Sequence, residues 1–172
     1  MVMIVSILKF EPRTPRSLED MILYLTDRTK TTEDDGIFAI GCNPVQAALE
    51  MEFVQRLFFY ENLVHPYVQV IFAFDVGINL SLSLLRQIAI EIGQVLIVDR
   101  RQVFGAIHHL NTDKKHCHYL LNAVSVLGEL YRQKYSLWHY KQAVNEILGS
   151  YSLGLIKVYS NDRNYLPLTY VS

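Results

Sequence analysis

The sequence predicts an α+β protein, an antiparallel β-sheet with α-helices packed against it. Three observations carry that expectation. Apolar runs of strand length and stretches of helical periodicity follow one another without the strict alternation that a parallel sheet requires. Two strand-like segments, 103–109 and 117–124, face each other across the polar turn 111–115, which makes them antiparallel neighbours. Hydrophobic residues make up 51% of the 172 and charged ones 19%, enough apolar material for one core and too little charge for a disordered chain. The expectation is a single domain over 1–172.

The elements follow in order. Residues 2–9 read as a first strand, ended by the two prolines within 11–16. Ser17 is placed to cap a helix running to about Asp27, with Glu19 and Asp20 at its positive end and Leu18, Ile22 and Leu25 on one face. The stretch 28–36 is polar and reads as a loop. Asn43-Pro44 opens a second helix, Asn as cap and Pro at the first helical position, continuing to about Phe59. Residues 67–74 form a continuous run of β-formers, hence a buried strand. Leu84, Leu85, Ile88 and Ile92 give 81–96 a helical spacing, 136–148 is a last long helix, and 153–159 reads as a short strand.

Function classes narrow next. No apolar run is long enough to span a bilayer, and the first residues are wrongly flanked for a signal peptide, so the expected location is the cytoplasm. Cys42 and Cys117 stand far apart in apolar surroundings and read as free thiols of a reducing compartment. A net charge of −1 argues against a uniformly basic nucleic-acid surface. The charge is uneven, however, with nine basic residues against five acidic ones in 99–172.

Four of the six histidines fall within eleven residues of that basic part. His116 and His118 are one residue apart, and on a strand such a pair projects from one face. His109 ends the preceding strand, and a hairpin brings it alongside. Three converging imidazoles leave coordination positions open for water or substrate, the donor set of a divalent-metal site. Asp113, in the turn, is placed to accept an N–H from a ligand imidazole or to orient water. His108, pointing away from His109, is read as structural, as are His65 and His139. Imidazole donors suit Mn²⁺, Zn²⁺ or Ni²⁺ better than Mg²⁺ on affinity, with Mn²⁺ the working choice and Mg²⁺ able to serve through its abundance.

The run His109-x-x-x-Asp113-x-x-His116-x-His118, with Asn122 beyond it, resembles the three-histidine motif of the relaxase/mobilisation nucleases, within the histidine–hydrophobe–histidine endonucleases. Upstream, a tyrosine in the first helix (Leu23-Tyr24-Leu25-Thr26-Asp27) and Gly41-Cys42-Asn43 before the second agree with the same order. The resemblance spans roughly 15–148 and implies a relaxase-like variant of the ferredoxin-like fold. It implies a metal-dependent endonuclease that nicks single-stranded DNA at a transfer origin, with Tyr24 as nucleophile, a 5′-phosphotyrosine intermediate and Asp113 as a catalytic carboxylate. Accessory mobilisation or coupling proteins are the implied partners. Lys114, Lys115, Arg28 and Lys30 are the candidate phosphate contacts.

The chain departs from the family pattern in three places, one being that the Gly-Glu common after the middle strand is absent, Gly77 being followed by Ile78. Asn111 stands where an Asp is common, and the middle strand reads Val68-Gln69-Val70-Ile71-Phe72-Ala73-Phe74 without the usual His and Ser-Phe. Two other readings fit the residues. A replication-initiator nuclease of the same superfamily would use a tyrosine after the histidines, Tyr131, Tyr135 or Tyr140. A degenerate DNA-binding accessory module would bind metal without cutting.

Overall fold

In a computed structural model of the chain, residues 6–11, 16–75, 79–97 and 99–164 are described. Residues 2–5 of the expected first strand, and most of the proline-containing break after it, lie outside that set. The strands are β1 (Ile7–Phe10), β2 (Ile37–Ile40), β3 (Tyr67–Ala73), β4 (Val103–His108) and β5 (His116–Asn122). The helices are α1 (Leu18–Leu25), α2 (Glu33–Gly36), α3 (Ala47–Leu57), α4 (Leu82–Leu96) and α5 (Leu137–Ser150). The five strands form one sheet in the order β1-β3-β5-β4-β2, every neighbouring pair antiparallel. No helix among the described residues is long and apolar enough to cross a membrane.

The helix starts are those the sequence announces. The Ser17 hydroxyl accepts from the Asp20 amide at 3.1 Å and the Ser81 hydroxyl from the Leu84 amide at 3.2 Å, each satisfying an N–H that the first turn leaves free. Asn43 Oδ1 accepts from the Val45 amide at 2.9 Å, but it caps a short 3-10 turn, Pro44–Gln46, from which α3 continues. α3 ends at Leu57, before Phe59 turns to φ +62°.

Three elements differ from expectation. β2 was read as part of no element: four residues between Gly36 and Gly41 are too few to show a period. The polar loop at 28–36 ends in the short helix α2. Residues 153–159 form no strand and make one isolated bridge, Ser6 to Ile156.

Alternation sorts the sheet into two faces. Val70 and Phe72 of β3, Ile107 of β4 and Cys117, Tyr119 and Leu121 of β5 pack against Leu85, Ile88 and Ile92 of α4 and Tyr140, Val144 and Leu148 of α5. On the other face Phe104, Ala106, Leu120 and Tyr67 meet Leu18, Met21 and Leu25 of α1 and Ala47 and Met51 of α3. Each such fully buried aliphatic side chain contributes roughly 1.5–3 kcal/mol, so both helix layers are firmly held.

On the first face Gly105 pairs with Phe38 of β2, and a Cβ on Gly105 would lie 2.1 Å from Phe38 Cζ. The Phe38 ring, 1% exposed, fills the space a side chain would need and meets Tyr119 edge-on at 6.0 Å. We expect Gly105→Ala to destabilise the protein by about 1–3 kcal/mol, the cost of overpacking, read as a lower denaturation midpoint at an unchanged m-value.

A buried polar knot fixes α3 to the end of β5. Asn122 Nδ2 donates to Met51 O at 3.2 Å and to Gln102 Oε1 at 2.9 Å. Its Oδ1 accepts from Gln55 Nε2 at 2.9 Å and from the Val124 amide at 3.1 Å. Asn122 is fully buried, and every part of its carboxamide is hydrogen-bonded.

Candidate metal centre and nucleophile

The register of the β4–β5 hairpin decides which histidines meet. His108 lies directly opposite His116, and His118 lies opposite Ala106. Since residues 106 and 108 share a face, as do 116 and 118, the converging set is His108, His116 and His118. Ring centroids are 4.5 Å apart for His108–His118, 5.0 Å for His116–His118 and 5.1 Å for His108–His116. One nitrogen from each ring lies within 4.8 Å of the others.

The expectation that His109 is the third member is therefore corrected. β4 ends at His108, and His109 begins the turn with its backbone amide donating to Lys30 O at 3.0 Å. Its ring turns to Thr32, with Nε2 3.2 Å from the hydroxyl, away from the cluster. Strand parity assigned the pair inside β5 correctly but chose the wrong member of the His108-His109 dipeptide, because the hairpin register is not written in either residue.

Each ring of the cluster is held from behind. His108 Nε2 lies 2.9 Å from the Leu25 carbonyl of α1. His116 Nδ1 lies 2.9 Å from the Lys114 carbonyl. His118 Nδ1 lies 2.8 Å from Gln69 Nε2 of β3. A carbonyl can only accept, so His108 carries its proton on Nε2 and His116 on Nδ1, leaving His108 Nδ1 and His116 Nε2 with lone pairs. Burial, reinforced by neighbouring His108, His116 and Lys30, pushes the His118 imidazole down to about 3. His108 is also held below the ordinary histidine range, mainly by burial and against the opposing pull of its bond to Leu25. Imidazoles converging from two adjacent strands, with their outer nitrogens engaged, form the donor chemistry of a borderline divalent metal such as Mn²⁺, Zn²⁺ or Ni²⁺.

Tyr24 sits on the exposed side of α1, 49% accessible. Its neighbour Leu25 is the residue whose carbonyl holds His108, so one turn of helix ties the candidate nucleophile to the cluster. Lys30 lies across the phenol, its Nζ 3.5 Å from the ring centroid and 3.4 Å from the Tyr24 carbonyl oxygen, and Arg16 approaches the same ring at 5.1 Å. The structure thus brings together two residues singled out separately in the sequence.

Other expected residues stand apart. Arg28 is exposed and pairs with Glu33 at 3.6 Å. Lys114 and Lys115 flank the cluster in the turn, their backbone carbonyls accepting from His116 Nδ1 and from the Phe74 amide at 2.9 Å each. Asp113 is exposed in the same turn, and among the described residues no hydrogen bond links it to a cluster imidazole. The support expected of it comes from two backbone carbonyls and Gln69. Gln69 and His108 are the residues that sequence reasoning missed. A signal for Gln69 existed: it is the one polar side chain in an otherwise apolar strand, and a polar group buried there needs a partner.

The fold resembles that of a solved structure from work on the molecular basis of vancomycin resistance transfer in Staphylococcus aureus. The TM-score is 0.53 and the sequence identity 9%, over 91% of this chain and 99% of that one. Curated proteins give no match. The family model described as "Relaxase: MobA/VirD2-like, nuclease domain" matches residues 24–153, from the candidate tyrosine past the last helix. The chain therefore belongs to the MobA/VirD2-like relaxase nuclease-domain family.

Proposed function

We propose that the protein is a metal-dependent, site- and strand-specific DNA nicking enzyme that works at a transfer origin during mobilisation of a plasmid or conjugative element. The observation that carries the reading is the three-imidazole cluster hydrogen-bonded to the helix that bears Tyr24. His108 Nδ1, His116 Nε2 and His118 are the groups to hold the metal. A divalent ion there supplies positive charge to the non-bridging oxygens of the scissile phosphate.

Tyr24 Oη attacks phosphorus, the bond from phosphorus to the 3′ oxygen breaks, and the 3′ oxygen leaves as a hydroxyl after taking up a proton. The phenolic proton passes to solvent or to Asp113, and the 5′-phosphate stays esterified to Tyr24. Lys30, already against the phenol, meets the phosphate by charge, and Lys114, Lys115 and Arg28 contact the flanking backbone. Single-stranded DNA is the substrate in this reading, as the match to the relaxase nuclease-domain family supports. Accessory mobilisation or coupling proteins deliver it.

The test is incubation with Mn²⁺ and single-stranded DNA from the element's own transfer origin, resolved on a denaturing gel. The expected result is one discrete cut with Mn²⁺ and none with EDTA or with His116→Ala. Metal binding without strand cleavage by folded protein would favour the accessory-module reading.

A further inference from the structure

His108 and His116 are backed by carbonyl oxygens, which fix their tautomers whether or not a metal is present. His118 is backed by a carboxamide, which can donate through one end and accept through the other. With Gln69 Nε2 at 2.8 Å, the amide donates to His118 Nδ1 and the imidazole proton rests on Nε2. That tautomer offers no lone pair on Nε2. Turning the carboxamide by half a rotation about its last bond presents Oε1 instead, places the proton on Nδ1 and frees Nε2.

Both residues are buried, Gln69 at 9% and His118 at 8% exposure, so water competes little for this contact. Gln69 is also anchored by the sheet: it lies opposite Leu120 of β5, and its carbonyl accepts from the Glu11 amide at 2.9 Å. Its backbone is therefore fixed, and the carboxamide is the group free to turn.

We infer that Gln69 selects the tautomer of His118, its carboxamide donating to Nδ1 through Nε2 or accepting from Nδ1–H through Oε1, and that a divalent ion at the three-histidine site requires the accepting orientation. The inference rests on the metal reading proposed above. Residue 69 is a positioning residue in this account and touches neither DNA nor metal. A glutamine there makes His118 a conditional ligand, whereas a glutamate can only accept and would keep Nε2 available at all times. Outer partners of metal-bound histidines typically change affinity by about 10–100-fold, and we expect Gln69→Glu to raise affinity within that range.

The experiment uses the full chain, wild type beside Gln69→Glu and Gln69→Leu, with melting curves to show that each is folded. Long-range ¹⁵N correlation spectra of the metal-free proteins read the His118 tautomer, and visible absorption during titration with Co²⁺ alone reads the affinity. The expected result is His118 protonated at Nε2 in wild type, protonated at Nδ1 in Gln69→Glu, and mixed in Gln69→Leu. Cobalt affinity is expected to be highest in Gln69→Glu, where the carboxylate holds the ligating tautomer and no carboxamide has to turn. Cobalt bound alike by all three proteins would overturn the inference and leave the metal site standing. A tautomer that follows residue 69 while none of the three binds cobalt would overturn the metal reading and the metal-linked half of the inference. Should Gln69→Leu fail to fold, a His118 protonated at Nε2 in Gln69→Glu overturns the inference by itself.

Discussion

His108→Ala is expected to lower divalent-metal affinity by more than about 100-fold and to abolish nicking, while His109→Ala leaves metal affinity within about threefold of wild type. The two residues are adjacent, so the comparison isolates orientation from composition. His108 faces His116 across the hairpin and stands in the cluster, with its Nε2 engaged by Leu25 O and its Nδ1 free. His109 lies past the end of the strand with its ring on Thr32. Calorimetric titration with Mn²⁺ or Zn²⁺ reads the affinities, and circular dichroism checks the fold. The reverse result, His109 essential and His108 dispensable, would mean that the hairpin register differs by one residue.

Tyr24→Phe is expected to reduce cleavage by about 10³-fold or more and to remove any covalent adduct, the loss typical of a deleted nucleophile. The substitution takes away one exposed oxygen and keeps the aromatic face on which Lys30 rests, so stability should change by less than about 0.5 kcal/mol. Gel analysis of adduct and product, with a thermal melt in parallel, checks both parts. The tyrosines after the histidines compete poorly for the role. Tyr131 and Tyr140 are 4% and 3% exposed and belong to the core on the α4–α5 face, opposite the cluster. Burial pushes the Tyr140 phenol up to about 12 and that of Tyr131 further still. Only Tyr135, 46% exposed, is accessible among those three, and it packs against Tyr140 and His139 on the same α5 side.

What the sequence made legible follows from how local each signal is. Ser17 and Asn43 announce helix starts because a cap is decided within three residues. β3, β4 and β5 are visible because each is a stretch of six or seven residues, mostly apolar, set off by turn chemistry. β2, four residues at the sheet edge, is too short for alternation to register. The apolar run around Leu153–Ile156 looked like a strand, but among the described residues no neighbour beyond Ser6 pairs with it, and pairing is not a local property.

The site divides the same way. His116 and His118 are readable because both lie inside one strand, where period two needs no partner. Choosing between His108 and His109 requires the register across the turn, a long-range quantity. Among the described residues no hydrogen bond joins Asp113 to a cluster imidazole, for a related reason. Carbonyls of Leu25 and Lys114 and the Gln69 amide already occupy the outer nitrogens, and a backbone carbonyl has no sequence signature.

The central claim, that Tyr24 is the nucleophile of a metal-dependent nick, is most directly tested by mass spectrometry of the linked peptide. The protein would be incubated with Mn²⁺ and single-stranded DNA from its own transfer origin, then digested with trypsin and nuclease. The account predicts a nucleotide 5′-phosphate on Tyr24, within the tryptic peptide 17–28. A nucleotide on Tyr135, within the peptide 135–141, would contradict it, as would the absence of any adduct from folded, metal-loaded protein.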